Sequence, residues 1–496
     1  MSFSYLEATI ADIHAAIRRN DIDVAHLVAG YLNRIKAFDE QGPQLNSVVT
    51  VNPEAHTIAQ NIDDYYRANG KFIGPLHGMP VLVKDQAETA GIKTSFGSQL
   101  FADYEPAEDA AVIAKLKAAG AIILGKTTMP DFATAWFSTS SRTEKSLNPY
   151  DLSRDPGGSS SGTGAAVAAN LCAIGLGEDT GGSIRLPSSF NNLVGLKVTP
   201  GLISRRGLSP LVGFQDSAGP MCRTVEDAAK MLNTITGFDA ADPITATAVM
   251  AGQQDYTRFL NHDALKGRKI AVLRQAFGDD ADGDAAAVNQ VIETALQSFA
   301  TIGADVVDIH IPELDHYVEY TSLYVTHSRH DLDAFLSARP ALKDYSVSEI
   351  YNRKQYEPSL DLFEEIAQGP SDPYSEAEYY ERYTARETFQ RIIVNALALV
   401  GAEMMVFPTS QIAAPTHQDL ATKRWTTLTF PTNTLIAAQS WLPAVSVPSG
   451  FTTNGLPVGL EIVGLPNREA ELLGGAYAFE QATRWRRSPA STPELA

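Results

Sequence analysis

Apolar positions recur at two different periods along this chain, and the change from one to the other marks its organisation. Leu6, Ile10, Ile13 and Ile17 fall at helical spacing. Val24, Leu27, Val28, Tyr31, Leu32 and Ile35 repeat that spacing behind Asp21 and Asp23 as candidate caps, which predicts two opening helices. Short β-branched runs follow, MPVLVKD at 79–85 and GAIILGK at 120–126. The second comes after a helical DAAVIAKLKAAG whose Gly120 stands where a glycine ends a helix. Further strands are expected at KIAVLRQ (269–275), ADVVDIH (304–310), EMMVFPT (403–409), PAVSVPSG (443–450) and PVGLEIVG (457–464), with a helix near 284–300. Strands alternating with helices imply an α/β layered fold around a mixed sheet.

Residues 311–400 break the alternation. They are helical in pattern, charged and rich in tyrosine (Tyr317, Tyr320, Tyr324, Tyr374, Tyr379, Tyr380, Tyr383), and are read as a helical cap or rim over the sheet. The acidic GDDADGD at 278–284 reads as a surface loop entering a helix. Neither a Pro/Ser-rich linker nor a repeat divides the chain, so one domain over 1–496 is expected.

Composition narrows the class. The 496 residues carry 39 Lys plus Arg against 58 Asp plus Glu, a formal charge of -19, and a field of that sign repels polyanions, so nucleic acid is excluded as a partner. Cys172 and Cys222 are too few for a disulfide framework or a four-thiolate zinc site, HEXXH is absent, and no metal is expected. The amino terminus has mixed charge and no apolar h-region, and no run approaches 18 apolar residues, so no membrane partner is expected and the cytoplasm is the expected compartment.

The candidate chemistry lies in three places. DTGGSIRLP sets Ser183 behind two glycines, so that backbone N–H groups from Thr180 to Ser183 can converge on one oxygen, the arrangement acyl transfer requires. A Gly-Gly-Ser turn also serves as a plain link from strand to helix. GGSSSGTG at 157–164 lacks the Gly-Lys-Ser/Thr of a phosphate loop, yet Gly158 to Gly162 satisfies G-x-S-x-G and would make Ser160 a hydrolase nucleophile. That motif needs a strand just before it, whereas SLNPYDLSRDP is loop-like; His310, His316, His327, His330 and His417, which such a triad could recruit, have no supporting motif. Lys84 ends an apolar strand, where burial would favour the neutral amine that a base must be; pairing with Asp85 or another carboxylate is the competing reading.

Together these pieces resemble the amidase signature family, with its G-G-S-S-[GS]-G run, its D-x-G-G-S-x-R loop beginning shortly after, and a G-x-P-x-x-[VI]-K-D segment upstream. GKTTMPDFA, SLNP, GLKVTPGLISRRGL, DSAGPMCRTVEDAA, PAVSVPSG and GLPVGLEIVG also look like family blocks in family order. The resemblance implies the amidase signature fold, a large mixed twisted β-sheet covered by helices on both faces. It implies a Ser-cisSer-Lys triad: Ser183 as nucleophile, Ser159 as relay behind a cis peptide to Gly158, and Lys84 as base and later acid. Thr180, Gly181, Gly182 and Ser183 would supply the oxyanion donors, Asp179 and Arg185 would brace the loop, and Ser160 becomes a structural hydroxyl. Ala133, Thr134 and Trp136 match a pocket wall in relatives, suggesting an apolar acyl or aryl group.

The implied reaction is hydrolysis of a linear carboxylic amide by water through an acyl-enzyme, without a cofactor, in a monomer or homodimer. Carbamate or ester hydrolysis uses the same triad. One family branch, the glutamine amidotransferase A subunit for charged tRNA, works with a partner; its acidic, small-residue run ending in Arg-Tyr-Asp-Gly is missing. YVTHSRHDLDAFLSARP at 324–340 instead resembles stand-alone amidases near the bacterial peptide amidase. Trp441 stands where many relatives have glycine; a large indole there could narrow the pocket or fill the core, and core packing is the favoured reading.

Overall fold

A computed structural model describes residues 3–252 and 254–495. Eleven strands form one sheet: β1 (Val48–Val51), β2 (Pro80–Lys84), β3 (Ile122–Thr127), β4 (Ile174–Asp179), β5 (Val194–Lys197), β6 (Ser217–Cys222), β7 (Lys269–Leu273), β8 (Asp305–Ile309), β9 (Ala402–Pro408), β10 (Ala444–Phe451) and β11 (Pro457–Gly464). Their order is β1-β3-β2-β4-β6-β5-β10-β11-β9-β7-β8. β2 runs parallel to both β3 and β4, and β7 runs parallel to both β8 and β9, while the strands between are antiparallel. The sheet is therefore mixed.

Period-two alternation shows how it is covered. Ile270, Val272, Met404 and Val406 join the core that contains Val288 and Ile292 of the helix Gly283–Thr301. Ala271, Leu273, Met405 and Phe407 instead join Phe389, Ile393 and Leu397 of the helix Tyr379–Val400. Successive side chains of a strand point to opposite faces, so helices cover both. Each fully buried aliphatic side chain contributes about 1.5–3 kcal/mol.

The opening helices are Ile10–Arg18 and Val24–Arg34. Thr9 caps the first in a capping box with Asp12, which places its start after Leu6, and Asp23 rather than Asp21 caps the second. Gly120, at φ +90°, follows the helix Ala111–Ala118. All the strands expected from β-branched runs form. β1, β4, β5 and β6 were not expected; β4 (IGLGED) and β6 (SAGPMC) are rich in Gly, Ala, Ser and Pro. Their small residues answer to close packing: a Cβ on Gly177 would lie 2.7 Å from Met221 Sδ and 3.0 Å from Ser160 Oγ, and one on Gly219 would lie 2.1 Å from the carbonyl oxygen of Leu196.

Between 311 and 400 lie the helices Leu314–Tyr320, Tyr324–Ser337, Val347–Asn352, Asp361–Gln368 and Tyr379–Val400. Trp441 is not in the core. It is half-buried, with φ 56°, and its ring meets Tyr383 edge-on at 5.5 Å; the backbone turns there, so that Leu442 enters the core and the indole stays at its margin. Among the described residues no helix is long and apolar enough to cross a membrane.

Candidate active site

The ends of β2 and β4 meet two loops. Pairing of Val83 with Leu176 aligns the parallel strands so that Lys84 finishes β2 where Glu178 and Asp179 finish β4. The glycine-serine run 157–160 leads into the helix Ser161–Ala168, which packs on β2, β3, β4 and β6. The loop 180–184 leads from β4 into the helix Arg185–Phe190.

Lys84, 1% exposed, points its amine at a hydroxyl: Nζ lies 2.8 Å from Ser159 Oγ, 3.2 Å from the carbonyl oxygen of Glu178 and 3.3 Å from Glu178 Oε2. The Gly158–Ser159 peptide is cis. The next amide, of Ser160, donates to the carbonyl of Ser183 at 3.1 Å, which fastens one serine loop to the other. Ser160 Oγ donates to the carbonyl of Glu178 (3.2 Å) and accepts from the amide of Glu178 (3.3 Å), so its hydroxyl is occupied in holding β4. No strand precedes it and, among the described residues, no histidine hydrogen-bonds to Ser159, Ser160 or Ser183. The G-x-S-x-G reading fails for want of both.

Ser183 is buried beside Gly181 and Gly182. A Cβ on Gly182, at φ +149°, would strike Thr434 Oγ1 at 2.0 Å. One on Gly181 would strike Tyr324 OH at 2.1 Å and crowd Trp136 and Leu435 at 2.9 and 3.0 Å. Only glycine fits between these walls. Among the described residues, none accepts a hydrogen bond from the backbone N–H of Gly181, Gly182 or Ser183, leaving those donors free for an oxygen brought to them. Of the expected wall, Trp136 thus faces the loop; Thr134 turns its hydroxyl back to the carbonyl of Asp131 (2.7 Å), and Ala133 sits in left-handed backbone at φ 63° beside it.

Asp179 and Arg185 hold this loop from behind. Arg185 Nε and Nη2 each lie 3.1 Å from Asp179, Asp179 also accepts from the amide of Ile184 (3.1 Å), and Arg185 Nη1 reaches Glu461 of β11 and the carbonyl of Thr434. Burial favours a neutral Asp179, but the guanidinium outweighs it and holds the carboxyl below its ordinary range. Glu461 is pushed up to about 7, by burial first.

Two acids were not foreseen. Glu178, not Asp85, is the carboxyl beside Lys84; Asp85 turns instead to Ser95. Asp216, ahead of β6, accepts from Thr180 Oγ1 at 2.6 Å and from the amides of Leu211 and Val212 at 2.9 and 3.1 Å. Burial lowers the pKa of Lys84 from its ordinary value, with the neighbouring acids opposing; burial raises Glu178 to about 8 and raises Asp216. The adjacent acids closing a buried strand, Glu178-Asp179, were the one signal in the sequence. Gln215, whose amide nitrogen donates to the carbonyl of Thr180 and lies 3.3 Å from Tyr324 OH, carried none.

A buried amine on a serine hydroxyl, a second serine beside unpaired amides, and a guanidinium-braced loop define a site for acyl transfer. The Amidase family profile matches residues 26–473, and the chain belongs to that family. It is an amidase, a hydrolase of carbon–nitrogen bonds. The native peptide amidase of Stenotrophomonas maltophilia superposes with a TM-score of 0.86 at 34% identity, covering 99% of each chain. The A subunit of the Glutamyl-tRNA(Gln) amidotransferase of Thermotoga maritima superposes with a TM-score of 0.78 at 27% identity, covering 99% of each chain. Its namesake from Carboxydothermus hydrogenoformans is 33% identical over 98% of this chain and 99% of its own.

Proposed function

We propose that this amidase works through an acyl-enzyme on Ser183, with Ser159 as proton relay and Lys84 as base. The reading is carried by one observation, the buried 2.8 Å contact between Lys84 Nζ and Ser159 Oγ. Ser183 Oγ attacks the amide carbonyl and passes its proton to Ser159 Oγ, which passes its own to Lys84 Nζ. The oxyanion takes the free amides of the loop Thr180 to Ser183, one such donor being worth roughly 3 kcal/mol. The proton returns by the same path to the leaving nitrogen, the amine departs, and water attacks the acyl-enzyme with the chain run again in both directions.

The substrate is a linear amide with an apolar acyl or aryl group against Trp136 and Leu435, whose side chains border Gly181. Tyr324 brings the segment 311–400 to the same border, which supports a rim over the site. Amides of peptide C-termini and of aryl amines are the first to test, each beside its matched ester and carbamate. Ser183→Ala abolishes release of ammonia or amine in this reading, and retained turnover refutes it.

The amidotransferase relatives favour a second reading, glutamine hydrolysis feeding a partner. Identity does not separate the two readings, but the closer superposition on the peptide amidase, a TM-score of 0.86 against 0.78, supports a free-standing enzyme, monomer or homodimer. Glutaminase activity that arises only when a partner protein is added would reverse that preference.

A further inference from the structure

The contacts around Glu178 fix where the protons of the site lie. Thr180 Oγ1 stands 2.6 Å from Asp216 Oδ1 and 3.3 Å from Glu178 Oε1, yet a hydroxyl has one proton to donate. Asp216 takes it: both its oxygens already accept backbone amides, from Leu211 and Val212, which marks the carboxylate end of the chain. The contact between Thr180 and Glu178 is then a hydrogen bond only if Glu178 supplies the proton. The same polarity suits Lys84. Of its three neighbours, the carbonyl of Glu178 can only accept, so it takes one N–H. If Glu178 Oε2 takes the other, the single lone pair of a neutral amine is left for Ser159 Oγ.

We propose that Glu178 is a positioning residue for the amidase reaction, a carboxylic acid protonated on Oε1 toward Thr180 whose Oε2 accepts from Lys84 and holds the amine as a free base facing Ser159. This rests on Lys84 being the base. The charged and titratable groups around the pair are Lys84 from β2, Asp179 from β4, Asp216 ahead of β6, with Asp331 behind it, and Tyr324 of the helix Tyr324–Ser337. Burial of both partners acts in the same sense, disfavouring an ion pair of two desolvated charges. The proton taken up during acylation passes onto Lys84 alone and returns through Ser159, so Glu178 neither gains nor loses one in the cycle.

The test is made on the resting enzyme first, so that it does not depend on turnover. An infrared difference spectrum at pH 7, wild type minus Glu178→Gln, shows the C=O stretch of a protonated carboxylic acid. A carboxylate band in its place overturns the proposal. If that variant does not fold, the difference is taken between carbon-13 glutamate-labelled wild type and equally labelled Glu178→Asp: a labelled acid band present only in the wild type gives the same answer, and a labelled carboxylate band lost instead overturns it. In turnover, Gln reproduces the acid's donor and acceptor, so kcat stays within about threefold and the acid limb of kcat/KM does not move. Glu178→Met removes both hydrogen bonds and lowers kcat about 10–100-fold at unchanged KM. An acid limb displaced downward by more than about one pH unit in the Gln variant is the signature of an ionised partner and refutes the assignment. Loss of activity in Ser183→Ala with the infrared band intact separates this question from that of the nucleophile.

Discussion

Lys84 and Lys126 are both buried lysines on neighbouring strands, one register step apart, and they do different things. Lys126 pairs across from Val83, so its side chain leaves the sheet on the face opposite to that of Lys84. Its amine donates to the carbonyl of Ala87 and lies 3.2 and 3.3 Å from the hydroxyls of Thr89 and Thr94. Burial lowers it to about 8, and Asp85 opposes that shift. Lys84 is also lowered by burial, but its nearest neighbour is Ser159, fastened through Ser160 to the loop that carries Ser183. Desolvation makes an amine easier to deprotonate; what it does next depends on whether a hydroxyl with somewhere to pass its proton lies within reach.

The largest expected effect that tests this contrast is at the end of the proton path. Ser183→Ala lowers kcat by about 10⁴-fold or more, measured as amine release, with the fold retained by circular dichroism. Lys84→Met comes next, at about 10³-fold in kcat/KM. In the wild type kcat/KM falls as pH drops through the pKa of Lys84, because protonation removes the base; in the Met variant that limb disappears. Lys126→Met should reverse the pattern. It leaves the carbonyl of Ala87 and the hydroxyls of Thr89 and Thr94 without their buried donor and costs about 1–3 kcal/mol of stability, seen as a lower Tm, while the acid limb stays in place. Equal effects on both limbs would erase the distinction between the two lysines. The smallest effect is at the substrate border: Trp136→Ala costs about 1–3 kcal/mol in kcat/KM for apolar acyl amides and little for acetamide-sized ones.

How far the sequence reveals this can be judged strand by strand. Strands with β-branched runs, such as β2, β3 and β7, declared themselves because their side chains fill a two-sided core. β4 and β6, which sit at the catalytic centre, did not, because glycine and alanine there make room for the loops, and Pro220 sits directly opposite Leu176 in the sheet. Of the strands at the candidate site, β2 is thus legible by propensity, while β4 and β6 are reached only through the motifs that flank them. Lys84, Ser159 and Ser183 were visible as residues in a recurring pattern. Glu178 and Asp216 were not, since nothing in a linear pattern says that the carboxyl after Gly177 lies 3.3 Å from an amine 94 positions earlier.

Arg185 has one more consequence. Its guanidinium joins Asp179 of β4 to Glu461, which lies 276 positions after Arg185 on the strand that completes the sheet in chain order. The loop that carries Ser183 is thus tied, through one buried guanidinium, to the last strand of the chain to join the sheet.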